Sequence, residues 1–204
     1  MQKECNLFRI LVFILQNRRH NKFYLPMEQK KKYAKSIERL NEAVKMEIAT
    51  SLQYMYFHVH FEDAGYEYLA KLMKQTSIAE MRHIEELSER IMYLEGDVDM
   101  NPLEPTQPIT KPVEALTFAM NVEQSTIDRY NEWSRLCSAE DDAITHKMFQ
   151  TLAEQEEEHL DIFRTELQNL KDYGEQQYLS LQSIAHSKAV VKELKEREHH
   201  HHEE

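Results

Sequence analysis

Glycine and proline are scarce in this sequence. Its 204 residues include three glycines and five prolines, which are the residues that tight β-turns need. The glycines are also too far apart to form a Gly-x-Gly or Walker-type loop. The sequence therefore disfavours a β-sandwich, a β-barrel and a glycine-cradled nucleotide site, and it favours an all-α protein.

Cysteine and positive charge are limited as well. Cys5 and Cys137 fit neither a disulfide framework nor a Cys-x-x-Cys metal site, so we expect a cytoplasmic protein. Acidic residues outnumber basic ones by 36 to 25, giving a net charge of −11. Because a protein that follows nucleic-acid phosphates needs a basic face, we expect no nucleic-acid partner.

No long hydrophobic run is present. Residues 7–15 are apolar but are interrupted by Arg9 and are too short to span a bilayer, so we expect no membrane partner. The helical pattern begins after Met27. Residues 1–26 are therefore either an N-terminal extension without fixed structure or a stretch that precedes the true start. Residues 185–204 form a charged, histidine-rich tail.

Apolar residues recur every three or four positions in four segments of roughly 30 residues, which is the pattern of amphipathic helices. Gly65, Gly96 and Gly174 are the predicted helix ends, with Gly96 in the position just beyond the second helix. A polar cluster at 138–142 separates the third and fourth helices. The pattern predicts a four-helix bundle within a domain at 27–184, followed by a short fifth helix near 176–184.

The starts of the last two long helices have candidate caps. Thr110 and Pro112 are a plausible cap and first turn for the third helix, and Ser138 or Asp141 is able to cap the fourth. Between the second and third helices lies a proline-rich linker, residues 97–111. Fully extended, it is long enough to run the length of the bundle, but its length alone does not decide whether it does so.

Four glutamates lie on apolar stripes, where a helix of a bundle turns its side chains inward. If the first two helices form an antiparallel pair that turns at Gly65, Glu47 and Glu80 lie at the same height along the bundle. If the last two helices turn at 138–142, Glu123 and Glu156 also lie at one height. Both pairs are separated by 33 residues, and the second member of each begins a Glu-x-x-His sequence. The residues are Glu47, Glu80 with His83, Glu123, and Glu156 with His159.

A buried carboxylate costs several kcal/mol unless it is compensated. Four carboxylates balance the charge of two divalent cations, and an oxygen-rich site with one imidazole for each ion suits iron or manganese better than structural zinc. Di-iron and di-manganese carboxylate bundles use this ligand set. A single Glu-x-x-His arises by chance in acidic helices, whereas its repetition in the same frame is far more specific.

With these residues placed, positions 36–184 resemble bacterioferritins, most visibly in EMRHIEELSERIMYLEG at 80–96 and EEEHLDIFRTELQNL at 156–170. The resemblance implies a ferritin-like four-helix bundle with a long crossover and a short fifth helix. It also implies self-association into a hollow shell of 24 subunits and a di-iron ferroxidase centre within each subunit. The iron ligands that it implies are Glu47, Glu80, His83, Glu123, Glu156 and His159, with Glu80 and Glu156 bridging.

The resemblance assigns roles to two further residues. Tyr54 follows Glu47 by seven positions on the site-facing stripe and matches a tyrosine beside the iron pair, a candidate electron donor. Its alternative role is that of a core tyrosine with a satisfied hydroxyl. Met81 matches the methionine that ligates haem b across a dimer interface in bacterioferritins. The alternative is an apolar residue without a cofactor.

The implied function is oxidation of Fe²⁺ by O₂ or H₂O₂, followed by storage of ferric mineral inside the shell. One alternative is a peroxidase that protects against oxidative stress, either of the twelve-subunit Dps-like kind or rubrerythrin-like. The absence of Cys-x-x-Cys pairs weakens the rubrerythrin-like alternative. A second alternative, from another class, is a helical scaffold protein whose inward carboxylates are only structural.

Overall fold

The computed structural model describes residues 32–182 and 184. These residues contain four long helices and a short fifth one, with no strand among them, so the all-α prediction is confirmed. The predicted N-terminal extension at 1–26 and the tail at 185–204 lie outside the described residues. The long helices are α1 (Ala34–Asp63), α2 (Glu67–Tyr93), α3 (Pro112–Ala139) and α4 (Ala143–Tyr173), and α5 covers 175–182.

The helices form two antiparallel hairpins, α1 with α2 and α3 with α4, which pack together as a bundle. The core consists of two apolar clusters, one toward each end of the bundle. Phe57, Leu69 and Phe163 belong to the first cluster, and Val44 and Leu87 to the second. Buried acidic residues lie between the clusters. The polar layer is therefore enclosed by apolar packing above and below.

The first hairpin turn uses Gly65 as predicted. Gly65 has a φ of +78°, a left-handed conformation that suits glycine. The Tyr66 N–H then donates to the Phe61 carbonyl at 2.8 Å, closing a Schellman motif.

The prediction for Gly96 is wrong by one residue. At the end of α2 the left-handed position is held by Glu95, with a φ of +59°, and Gly96 follows it. Gly96 matters for a different reason, which is close packing. A Cβ atom added there would lie 2.7 Å from Cγ2 of Ile37. Glycine therefore allows the chain to pass directly over α1.

The predicted caps of α3 and α4 are also corrected. The N-cap of α3 is Lys111 rather than Thr110, although Pro112 occupies the first turn as expected. The cap of α4 is Asp142, whose carboxylate accepts a hydrogen bond from the Thr145 N–H, and neither Ser138 nor Asp141 serves. Asp142 is preferred because its second role, a 2.7 Å ion pair with Arg90, fixes it at the junction of the two hairpins.

The linker runs lengthwise along the bundle. Its start is held by Asn41, whose Nδ2 donates to the Asp97 carbonyl at 2.9 Å. Farther along α1, Gln53 exchanges two hydrogen bonds with the backbone of Gln107, at 2.6 and 3.1 Å. Since the contacts advance along α1 as the linker proceeds, the connection runs from one end of the bundle toward the other.

The fifth helix is fastened to the bundle by a buried carboxylate. Glu166 of α4 accepts hydrogen bonds from Tyr178 of α5 at 2.5 Å and from Tyr68 of α2 at 3.1 Å. None of the described helices is long and apolar enough to cross a membrane.

Candidate metal centre

The structure brings together all six residues that the sequence singled out. They project from the middle turns of the four long helices into the polar layer of the bundle. Glu80 and Glu156 are completely buried, and the other members are buried or mostly buried. The six are Glu47 from α1, Glu80 and His83 from α2, Glu123 from α3, and Glu156 and His159 from α4.

These residues form two overlapping groups. Within each group, one nitrogen or oxygen atom from every residue lies within 4.8 Å of the others. Glu80 and Glu156 belong to both groups, while the remaining four residues divide equally between them. Two carboxylates shared by two groups are the arrangement that bridging ligands of a dinuclear centre require. The groups are Glu47, Glu80, His83 and Glu156, and Glu80, Glu123, Glu156 and His159.

The two imidazoles face opposite oxygens of the shared carboxylates. Nδ1 of His83 lies 2.9 Å from Oε2 of Glu80 and 3.0 Å from Oε1 of Glu156. Nδ1 of His159 lies 3.1 Å from Oε1 of Glu80 and 3.0 Å from Oε2 of Glu156. Each shared carboxylate thus presents one oxygen to each half of the centre.

Gln155 orients the imidazole of His83 from the side of the ring that faces away from the carboxylates. Nε2 of His83 lies 2.8 Å from Oε1 of Gln155, and because that oxygen can only accept, Nε2 carries the proton. Nδ1, on the other side of the ring, faces the shared carboxylates. A histidine whose second nitrogen is held in this way is typical of metal ligands.

Several buried atoms of the centre lack a hydrogen-bond partner among the described residues. They include both carboxylate oxygens of Glu80, Oε1 of Glu156 and Nδ1 of His83. Some of these atoms lie close to one another, but the contacts between them are not hydrogen bonds. Each unsatisfied buried polar atom costs about 1–3 kcal/mol, and more when it is charged. An oxygen-rich donor set of this kind fits two divalent cations, which would satisfy these atoms together.

Burial and mutual repulsion perturb the acids of the centre. Burial, reinforced by the charges of the shared carboxylates, raises the pKa of both Glu47 and Glu123 well above the ordinary value. For Glu156 burial acts in the same direction, but His159 and His83 outweigh it and lower its pKa to about 2. Burial opposes protonation of His159, yet Glu156 and Glu80 raise its pKa to about 9. Without cations, the centre therefore retains protons.

Two buried phenols connect the hairpins through the outer carboxylates. The hydroxyl of Tyr54 on α1 donates to Oε1 of Glu123 on α3 at 2.5 Å. The hydroxyl of Tyr130 on α3 donates to Oε1 of Glu47 on α1. The sequence pattern singles out Tyr54 but not Tyr130, which lies on an apolar stripe of α3. The available signal was spacing, since each tyrosine follows a glutamate of its own helix by seven residues.

A largely apolar cavity of about 270 Å³ adjoins the centre between α1, α3 and the linker. Thr50, Tyr54 and Thr126 contribute to its wall. All three are buried and lie within two turns of Glu47 or Glu123.

Met81 lies next to Glu80 in the sequence but points away from the centre. Its side chain is 54% exposed. Ile78 on the same helix and Leu52 on α1 are also exposed. Large apolar side chains on the outside of one hairpin are typical of a surface that another chain covers.

Comparison with known proteins agrees with this geometry. A family model described as a ferritin-like domain matches residues 37–173. The bacterioferritin of Brucella melitensis is 32% identical over 71% of this chain and 89% of its own length. The bacterioferritin of Rhodobacter capsulatus is 32% identical over 72% of this chain and 92% of its own. This chain belongs to the bacterioferritin family.

Solved bacterioferritins have the same fold. The Rhodobacter capsulatus protein, described with a metal-free dinuclear site and haem iron, gives a TM-score of 0.71 at 30% identity over 73% of this chain and 93% of that one. The Desulfovibrio desulfuricans protein, described with its diiron site in different catalytic states, gives 0.73 at 30% identity over 76% and 90%.

Proposed function

We propose that this member of the bacterioferritin family stores iron and has ferroxidase activity. Each chain binds two Fe²⁺ ions, O₂ or H₂O₂ oxidises them to Fe³⁺, and the product is kept as ferric mineral in a hollow shell. The observation that supports this most strongly is the pair of overlapping ligand groups, which share Glu80 and Glu156.

The proposed ligand assignment follows the two groups. Glu47 and His83 hold one iron, Glu123 and His159 hold the other, and Glu80 and Glu156 bridge them. The four carboxylates match the charge of two Fe²⁺ ions. Because oxidation adds one positive charge to each ion, an anionic, mostly water-free site favours the oxidised product.

Neighbouring residues keep these ligands in position. Tyr54 and Tyr130 fix the outer carboxylates through their hydroxyls, and Gln155 fixes the ring of His83. The family resemblance also assigns Tyr54 the role of an electron donor to the iron pair. The apolar clusters on either side of the centre limit the access of water.

The outer face of the first hairpin supports self-association. We assign its exposed apolar residues to a contact with a second copy, in which Met81 from each chain provides an axial ligand to haem b. The proposed assembly has 24 subunits and is cytoplasmic. A native mass corresponding to 12 subunits would instead favour the Dps-like alternative. Absence of a Soret band after expression with supplied haem would contradict the role of Met81.

Anaerobic titration with Fe²⁺ followed by stopped-flow mixing with O₂ or H₂O₂ tests the central proposal. We expect binding of two ions per chain and rapid oxidation. The Glu156→Ala variant should lose rapid oxidation while its assembly stays intact. Its matched control is Glu157→Ala, which alters an exposed glutamate one residue away. Failure of the unmodified chain to bind iron would favour the scaffold alternative, and unchanged oxidation in Glu156→Ala would refute the site assignment.

A further inference from the structure

The two histidines of the centre are placed alike but are enclosed differently. Their rings lie 6.1 Å apart and within 26° of parallel, and each presents Nδ1 to both shared carboxylates. Even so, the side chain of His83 is 4% exposed, whereas that of His159 is 14% exposed. The half of the centre that contains His159 is therefore the more open one.

His83 has a partner for its second ring nitrogen. Its Nε2 lies 2.8 Å from Oε1 of Gln155, a residue of α4 that reaches across to α2. Among the residues that the structure describes, the polar contacts of His159 all involve Nδ1. When Nδ1 of a histidine ligates a cation, its Nε2 can only donate, so an amide oxygen is a suitable partner.

The sequence explains this difference between the two histidines. Gln155 directly precedes Glu156, and the residue in the same place before Glu80 is Ala79. Both positions are partly exposed. Because the two Glu-x-x-His segments are placed alike, position 79 is the one from which a longer side chain would reach the ring of His159. The methyl group of Ala79 is too short for that contact and cannot accept a hydrogen bond.

A hydrogen bond to the second nitrogen strengthens an imidazole as a metal ligand. It fixes the orientation of a ring whose final torsion angle is otherwise broadly distributed, and it raises the basicity of the ligating nitrogen. A ligand that is already held in position also loses less conformational freedom when it binds. Removal of such a partner typically weakens metal binding by about 10–100-fold.

We propose that Gln155 is a positioning residue that makes the metal position of Glu47 and His83 tighter than that of Glu123 and His159. The inference rests on the ligand assignment of the proposed function. It adds an order of filling to that assignment. When Fe²⁺ is scarce, the position of Glu47 and His83 is occupied first, and the other position fills at a higher concentration.

The first test measures each position by itself. Anaerobic titration with Co²⁺ is carried out on Glu123→Gln, which keeps the tighter position, and on Glu47→Gln, which keeps the weaker one. Added Gln155→Leu should weaken binding by about 10–100-fold in Glu123→Gln and leave it unchanged in Glu47→Gln. Added Gln155→Glu, which keeps an acceptor oxygen, should restore binding in Glu123→Gln. The control is Gln150→Leu, at an exposed residue of the same helix. Equal affinities of the two positions, or equal weakening by Gln155→Leu, would overturn the proposal.

The second test supplies the missing partner. Ala79→Gln should tighten Co²⁺ binding in Glu47→Gln, because the new amide can hold the ring of His159, and should have no effect in Glu123→Gln. An unchanged affinity in Glu47→Gln would overturn the assignment of the difference to this one side chain. The titrations contain no oxidant, so a failure of the chain to oxidise iron would refute the proposed function alone. Absence of Co²⁺ binding by the unmodified chain would overturn both proposals.

Discussion

Nδ1 of His83 lies 3.0 Å from Oε1 of Glu156, although the two residues belong to different helical hairpins. The hydrogen bonds from Tyr54 to Glu123 and from Tyr130 to Glu47 also join the two hairpins. In the polar layer, each hairpin therefore positions the ligands of the other. Metal binding should depend on whether a substituted residue belongs to both ligand groups or to one.

Substitution of a shared carboxylate should affect both metal positions, whereas substitution of an outer one should affect a single position. Glu80 belongs to both ligand groups and Glu47 to one. We expect Glu80→Gln to abolish tight binding of both ions and Glu47→Gln to leave one, as measured by anaerobic titration with Co²⁺. Glu86→Gln, which alters an exposed residue of the same helix, is the control. Equal stoichiometries for Glu80→Gln and Glu47→Gln would show that the shared geometry does not govern binding.

The metal-free protein should lose stability as the pH rises from 6.5 to about 9. The pKa of His159 is raised from 6.5 to about 9 in the folded state, so its stabilising effect is complete below 6.5 and is lost as the pH passes its folded value. The raised pKa values of Glu47 and Glu123 act in the same direction. The lowered pKa of Glu156, about 2, gives a stabilising effect that is lost only in acid.

The full contribution of His159 is about 3 kcal/mol by this linkage. Thermal unfolding measured across the pH interval should show the decline, and saturation with Co²⁺ should reduce it because bound cations replace the protons. His159→Gln should make this decline smaller but not abolish it, because the raised pKa values of Glu47, Glu123 and His83, the last to about 12, still contribute. His146→Gln, outside the centre, is the control. A melting temperature that rises with pH in metal-free protein would contradict the expectation.

Gly96→Ala should destabilise the fold through a clash with Ile37. The added Cβ would lie 2.7 Å from Cγ2 of Ile37, and such overpacking typically costs about 1–3 kcal/mol. A double-mutant cycle with Ile37→Ala, followed by denaturant unfolding, should show that the second substitution relieves much of the cost. Gly65→Ala, whose φ is +78° and whose Cβ would meet open space, should cost about 1–2 kcal/mol regardless of Ile37. Additivity between positions 96 and 37 would rule out the clash.

Tyr178→Phe should loosen α5 while leaving the metal centre intact. It removes the 2.5 Å hydrogen bond to buried Glu166, and a bond to a charged group contributes about 1.5–3 kcal/mol. Amide hydrogen exchange in 175–182 should accelerate relative to exchange in α1. The control is Tyr173→Phe, at a side chain that is 52% exposed. Unchanged exchange would mean that other contacts hold the fifth helix.

Much of the fold was predictable because helix periodicity and two left-handed glycines, Gly65 and Gly174, mark the helix ends. The remaining ends depend on tertiary packing. Glu95 and Asp141 adopt positive φ angles, which their residue types alone do not predict. The path of the linker likewise depends on contacts such as that between Gln53 and Gln107, which link residues far apart in the chain.

The grouping of the six candidate ligands was predictable because equal spacing about two antiparallel turns fixes their heights. Their partners were harder to recognise. A tyrosine on an apolar stripe gives the same periodicity whether its hydroxyl bonds a metal ligand or lies in the core. The contact of Tyr130 with Glu47 therefore could not be inferred from the sequence pattern. Gln155 lies beside the stripe of α4 rather than on it, and its contact with His83 follows from the packing of α2 against α4.

The centre repeats with a constant offset. Glu47, Tyr54, Glu80 and His83 each recur 76 positions later, as Glu123, Tyr130, Glu156 and His159. The first hairpin contains every type of ligand, but Tyr54 bonds Glu123 and His83 contacts Glu156, and both of these carboxylates belong to the second hairpin. The second hairpin supplies those carboxylates, so the complete centre is an internal two-fold repeat of one set of residues. The crossover linker joins the two halves of this repeat without contributing a ligand to either.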